Sequence, residues 1–318
     1  MVANNKFYEV FGDKPPKIAM IHLAGGEVGE DPVDQAIEEI EIYEQEGIDA
    51  IIVENYHGSS LDVERTLEKI KDCGTKLVVG INILPNEYTV AFDMAEKYGA
   101  DFIQQDHVAG KYHQGELNAK LYEECREEYP DIVVLGGVWP KYYTPIQGSD
   151  LELDLKKGME RADAIVVTGE GTGIETSIEK ILQFREIIGD FPLIVGAGVT
   201  PDNAHEQLEN TDGVIVGSSL KPFNQTDLMA NRQYVMAFVD AAKEPINTTY
   251  VRNVIEKDIE KIQRISCKED GYFSHYNIDA LKITAEEVKT ACEMLVEKGF
   301  LESKPIANVP ELSWYRKI

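Results

Sequence analysis

The sequence predicts an α/β protein whose main body, residues 1–244, is a (β/α)8 barrel, with a smaller C-terminal domain over residues 245–318. Two observations carry this. Short apolar, β-branched runs recur eight times between residues 17 and 221, separated by amphipathic stretches with apolar residues at helical spacing. The runs end about every 28 residues, an alternation of strand and helix that implies parallel pairing. Eight units suit a barrel, because a doubly wound sheet seldom exceeds seven strands.

In order, the runs are KIAMIHL, AIIVEN, KLVVGIN, FIQQD, IVVLGGV, AIVVTG, PLIVGAG and GVIVGSSL, ending near residues 23, 55, 82, 106, 138, 169, 198 and 219. Helix signals fall between them. Asp31-Pro32 with Asp34 sets a side-chain cap, a proline at the first helical position and an acid at the positive helix end. Thr200-Pro201-Asp202 repeats that grammar, and Thr176 with Glu179 reads as a capping box. Gly47, Gly74 and Gly99 stand where helices close. Beyond Glu244-Pro245 the rhythm stops. Helix, short helix, a helix capped at Thr284 and a terminal aromatic hairpin resemble a winged helix, read here as a packing or dimerisation domain. From residue 250 onward there are 11 basic and 12 acidic side chains, and acid on the would-be recognition helix (Glu286, Glu287, Glu293, Glu297) argues against a DNA groove.

Composition excludes several classes of function. The chain has 318 residues, 31 Lys+Arg and 57 Asp+Glu, for a formal charge of −26, so nucleic acid and anionic lipid are not expected as partners. A hydrophobic content of 43% supports a large core. Four scattered cysteines without a C-x-x-C pair suit a reducing compartment, and no apolar run is long enough for a membrane span or a signal peptide; a cytoplasmic location is expected.

In a (β/α)8 barrel the chemistry gathers at the C-terminal ends of the strands. Gly196 and Gly198 after the seventh run, and Gly217, Ser218 and Ser219 at the eighth, offer backbone N–H groups of the kind that hold a substrate phosphate; crowding at the rim is the alternative reason for these glycines. The segment TGEGTG after the sixth run (Thr168, Gly169, Thr172, Gly173) either adds donors to the same anion or is a plain loop. Glu54 and Asp106 are the candidate acids and bases, because a carboxylate at an apolar strand end needs a proton, a partner or a metal. His22 is a further catalytic candidate, and Asn55, Asn82 and His107 are candidate substrate contacts. Lys141 could form a Schiff base, hold an anion or simply be solvated. His22, His57, His107 and His113 could surround a divalent ion, but no metal-binding spacing supports one and no metal ligand or cofactor is assigned.

Taken together, KIAMIHL, GIDAIIVEN, GINIL, GADFI, ADAIVVTGEGTG, VGAGVTPDN and DGVIVGSSLK resemble the BtpA family, a photosystem I biogenesis group that also contains SgcQ-like proteins. The resemblance spans about Phe7 to Phe238. It implies a barrel of the ribulose-phosphate-binding type and places His22, Glu54, Asn55, Asn82, Thr168, Gly169, Thr172, Gly173, Gly198, Gly217, Ser218 and Lys221 at shared strand-end positions. The chain departs from the pattern in its first loop (AGGEVGEDP) and after the second run (YHGSS). After the fifth run, Gly137 and Tyr142 stand where an acid and a histidine are common, while Lys141 and Pro145 are kept. After the fourth, Gln114-Gly115 is kept and Asp106 and His107 are added. The expectation is a barrel enzyme acting on a small phosphorylated metabolite, a sugar phosphate or nucleotide-derived, by isomerase- or lyase-type acid/base chemistry, assembled as a homo-oligomer. The alternative is a ligand-sensing assembly or regulatory protein whose C-terminal domain binds a partner.

Overall fold

A computed structural model describes residues 5–12, 14–25 and 31–242, together with residues 273–274, 292–293, 296, 301–306 and 309–317. Eight parallel strands close into a barrel: β1 (Lys17–Ile21), β2 (Ala50–Glu54), β3 (Val78–Asn82), β4 (Phe102–Gln105), β5 (Val133–Gly137), β6 (Ala164–Thr168), β7 (Leu193–Gly196) and β8 (Gly213–Val216). Each pairs with its sequence neighbours, and β8 returns to β1 with Lys17 opposite Val214. The helices are α1 (Lys6–Phe11), α2 (Pro32–Glu46), α3 (Ser60–Cys73), α4 (Tyr88–Tyr98), α5 (Ala119–Glu128), α6 (Leu151–Arg161), α7 (Ile178–Ile188), α8 (Ala204–Leu208) and α9 (Arg232–Ala241). No described helix is long and apolar enough to cross a membrane.

Helix grammar accounts for most boundaries. Asp31 caps α2 by accepting from Val33 N–H at 3.0 Å, with Pro32 at the first helical position. Ser59 and Asp62 form a reciprocal capping box on α3. Gly47 and Gly99 end α2 and α4 in the left-handed conformation. Two expected starts differ. Helix α7 is capped by Ser177, because Thr176 is buried and turns its hydroxyl to the Gly196 carbonyl at 3.1 Å. Helix α8 begins at Ala204, because Thr200–Asn203 closes on itself first, with Asn203 Oδ1 accepting from Thr200 N–H at 2.8 Å.

The barrel repeats one device four times. Asp49, Asp101, Asp163 and Asp212 stand just ahead of the even-numbered strands, and each carboxylate accepts a backbone N–H from the odd-numbered strand before it. The donors are Lys17 at 2.8 Å, Val79 at 2.9 Å, Val134 at 2.8 Å and Leu193 at 2.9 Å. Strand starts at the N-terminal end of the barrel are therefore satisfied by side chains, which meets the demand that buried N–H groups find acceptors.

Inside the barrel, Ile18, Met20, Ile52, Phe102, Leu135 and Ile215 belong to one packed cluster. Gly80 makes room for Phe102, whose ring fills the space a Cβ would need. Phe7 and Phe11 of α1 close the bottom, with the Phe11 ring 5.1 Å from that of Phe102. The second cluster lies between strands and helices. Both clusters leave the upper end of the barrel open to polar side chains.

By contacts the chain divides into two compact units, Lys6–Lys243, and Met1–Asn5 with Glu244–Ile318. In the second, strands β9 (Phe273–Ser274), β10 (Leu301–Ile306) and β11 (Val309–Lys317) form an antiparallel sheet, in which β10 and β11 make the expected terminal hairpin. The helices on which a winged-helix assignment depends lie outside the described residues.

Candidate active site

A cavity of about 130 Å³ opens at the C-terminal ends of the strands. Its floor is polar. Asn82, at the end of β3, donates through Nδ2 to Glu54 Oε1 and to Gln104 Oε1, both at 2.8 Å, so one amide ties three neighbouring strands together. Tyr143 donates its hydroxyl to Asp106 Oδ2 at 3.1 Å. Burial raises the Glu54 carboxyl to about 7; the nearby Asp106 charge adds to the rise, and the Lys141 ammonium and the Asn82 hydrogen bond oppose it. Asp106 is raised as well, first by burial, against the Tyr143 hydroxyl, Lys141 and Asn82. Two neighbouring carboxyl groups that share one cation and both resist ionisation are suited to giving and taking protons.

His22 follows β1. Burial holds its ring well below the usual imidazole range, helped by the charges of Lys221 and Lys141, so the ring is neutral at pH 7. It stands against Gly217: a Cβ there would fall 2.9 Å from His22 Cε1. Glycine leaves room there for the ring beside the turn that begins the loop after β8. His22 Nδ1 is buried without a partner.

Three backbone segments meet at the rim. A Cβ on Gly198 would fall 2.3 Å from the backbone of Ile174 and Glu175, so the loop after β7 rests main chain to main chain on the loop after β6. A Cβ on Gly173 would come 3.4 Å from Ser218 Oγ, so the loops after β6 and β8 also meet. Gly173 and Gly198 have φ of 74° and 69°, where glycine is the comfortable residue. Among the described residues, the N–H groups of Gly173, Gly198, Gly217, Ser218 and Ser219 make no hydrogen bond within the chain. Of these five residues Gly173, Gly198, Gly217 and Ser218 line the cavity, and free N–H groups gathered in this way are able to hold an anion.

The structure brings together most of the residues expected from the sequence. Glu54, Asp106, His22, Lys141, Asn82, Thr168, Thr172, Gly173, Gly196, Gly198, Gly217 and Ser218 all line the cavity. Lys141 donates Nζ to Thr172 Oγ1 at 3.1 Å and its N–H to Thr168 Oγ1 at 2.7 Å. Thr172 N–H is occupied by the Tyr142 hydroxyl at 2.9 Å, which removes it from the free donors. Three expected residues stand outside the lining. Asn55 brackets Leu84, accepting from its N–H at 2.7 Å and donating to its carbonyl at 3.3 Å. His107 packs its ring against Tyr112 and Tyr143, each at 5.0 Å, and burial pushes it down to about 4. Gly169 is a packing glycine, 2.7 Å from two carbonyls at its Cβ position. Lys221 is also absent from the lining: it is fully buried in an ion pair with Glu39 at 2.7 Å. The divalent ion considered from the histidines finds no group of three His, Cys, Asp or Glu side chains among the described residues.

Sequence reading missed Gln104, Tyr143 and Lys180. Gln104 was legible in principle, two residues after the inward-facing Phe102. Tyr143 carries no local signal. Lys180 lies on α7, yet donates to the Thr168 carbonyl at 2.7 Å and the Trp139 carbonyl at 3.3 Å, pinning the ends of β5 and β6. The departure at Gly137 has a steric reason: a Cβ there would fall 1.9 Å from the Asp106 carbonyl oxygen.

The BtpA family model matches residues 16–244 of the chain. The chain belongs to the BtpA family. Among BtpA relatives, an uncharacterized protein of Pyrococcus horikoshii (strain ATCC 700860 / DSM 12428 / JCM 9974 / NBRC 100139 / OT-3) is 32% identical over 68% of this chain and 91% of its own length. The photosystem I biogenesis protein BtpA of Synechocystis sp. (strain ATCC 27184 / PCC 6803 / Kazusa) is 26% identical over 76% of this chain and 92% of its own. Among solved structures, thiamine phosphate pyrophosphorylase from Pyrococcus furiosus aligns with a TM-score of 0.51 at 13% identity, covering 73% of this chain and 96% of that one. A native KDPGal structure aligns at 0.50 with 18% identity, covering 71% and 93%. These likenesses show a shared fold, the (β/α)8 barrel.

Proposed function

We propose that this BtpA-family barrel is an enzyme that holds a small phosphate ester at its rim and moves a proton on the ester's carbon chain, as an isomerase or lyase does. The observation that carries the reading is the juxtaposition in one cavity of free N–H groups from three loops with two carboxyls, Glu54 buried and Asp106 half-buried, whose affinity for protons is raised. The phosphate takes the N–H groups of Gly173, Gly198, Gly217 and Ser218. Glu54 or Asp106, ionised, removes a proton from carbon, and the partner carboxyl returns one. Lys141 and neutral His22 stand where they can stabilise negative charge developing on a carbonyl oxygen. The name of the thiamine phosphate pyrophosphorylase relative in fold supports a phosphorylated ligand by analogy.

Inorganic phosphate and phosphorylated sugars are expected to raise the thermal midpoint, and Gly217→Asp or Ser218→Asp to abolish the rise by placing a negative charge among the donors. No stabilisation by any phosphorylated compound would overturn the reading.

A second reading is a non-enzymatic assembly or regulatory role in which the barrel senses such a ligand; the name of the Synechocystis relative favours it. A Glu54→Gln, Asp106→Asn double variant separates the two: cells that keep full function with it do not need proton transfer.

A further inference from the structure

The floor of the cavity offers hydrogen-bond acceptors in excess. Asn82 has spent its amide nitrogen on Glu54 and Gln104, and its Oδ1 is buried with no partner. Asn82 is only 1% exposed, so no solvent compensates that oxygen. Glu54 and Asp106 add carboxyl oxygens, and the Tyr143 hydroxyl is already given to Asp106. Among the described residues lining the cavity, Lys141 is the one Lys or Arg side chain, and it lies near both carboxyls.

A ligand group reaching this floor therefore meets oxygens that need donors. A hydroxyl supplies one. A second anion would sit beside two carboxyls that already share one ammonium, and like charges at such range repel. Resting on the phosphate-ester reading above, we propose that the substrate is a phosphate monoester whose far end carries uncharged hydroxyl groups, and that Asn82 Oδ1, Glu54 and Asp106 select it against phosphorylated carboxylic acids.

Calorimetric titration of the full chain at about pH 8, above the Glu54 midpoint, tests this with three probes: inorganic phosphate, sorbitol 6-phosphate and 3-phosphoglycerate. Sorbitol 6-phosphate is expected to bind at least about tenfold more tightly than inorganic phosphate, and 3-phosphoglycerate no more tightly than inorganic phosphate. Asp106→Asn, which removes one charge and keeps the shape, is expected to strengthen 3-phosphoglycerate about tenfold while leaving inorganic phosphate unchanged. In the unmodified chain, 3-phosphoglycerate binding as tightly as sorbitol 6-phosphate overturns the selection proposal and leaves the phosphate cradle standing. Failure of all three probes to bind overturns the cradle and the proposal together.

Discussion

At the scale of single residues, the floor is built from groups that fold at a cost. Glu54 is 7% exposed and its carboxyl sits at about 7 against an ordinary 4.5, so the folded chain holds that proton more tightly than the unfolded chain does. The stability linked to this group is fully present below about pH 4.5 and lost as pH climbs to about 7. His22 and His107 slope the other way: both are kept neutral by burial, so their contribution grows as pH rises towards the ordinary imidazole value of 6.5. Glu54→Gln removes the first slope only. The variant is expected to be more stable than the parent at pH 8, by up to about 3 kcal/mol, with the difference vanishing below about pH 4.5; urea unfolding across that range measures it. An equal difference at every pH would mean that the glutamate's ionisation is not what the fold opposes.

At the scale of elements, loops rather than strands decide what the site can hold. The loops after β5 and β6 are fastened by the Tyr142 hydroxyl on Thr172 N–H, by Lys141 on Thr172, and from below by Lys180 on the Thr168 and Trp139 carbonyls. Leu23, Trp139, Tyr142 and Ala197 all take positive φ just beyond β1, β5 and β7, so the rim carries backbone strain that such fastenings must hold. Lys180→Met keeps the aliphatic stem and removes the clamp. Amide hydrogen exchange at residues 139–142 and 168–173 is expected to quicken about tenfold or more while the far strand ends, capped by their aspartates, stay protected. Uniform quickening throughout the barrel would show that Lys180 supports global stability instead. The loops after β6, β7 and β8 were legible as glycine-rich rim segments, because main chains that approach one another this closely require residues without a Cβ. The latch between Tyr142 and Thr172 was not, since nothing in either local sequence names the other.

At the scale of the whole molecule, the barrel is joined across its seam by a buried pair. Lys221, 0% exposed, reaches Glu39 on α2, which also accepts from Ala230 N–H at 3.0 Å and Gln35 at 3.2 Å. Breaking one side of such a pair leaves a buried charge alone, so Lys221→Met is expected to cost about 3–5 kcal/mol in urea unfolding. Glu39→Gln combined with Lys221→Met is expected to recover a substantial part of that loss, since no full charge is then left buried. A double variant no better than the single one would show that the pair acts through packing and hydrogen bonds rather than charge. The sequence marked Lys221 only as a strand-end position shared with relatives; closure of the ring turned it away from the cavity.

What the sequence determined unaided is the periodic part of the protein. Eight apolar runs, their spacing, most helix ends and the three glycine-bearing rim segments depend on neighbours within a few residues, where backbone sterics and hydrophobic period act directly. What the tertiary structure decided is which of the strand-end residues share one space. Asn82 meeting Glu54 and Gln104, His22 filling the void above Gly217, and His107 and Asn55 turning aside to hold loops depend on how far each strand slides past the next as the sheet closes, a stagger set by all eight strands together and written in no one of them.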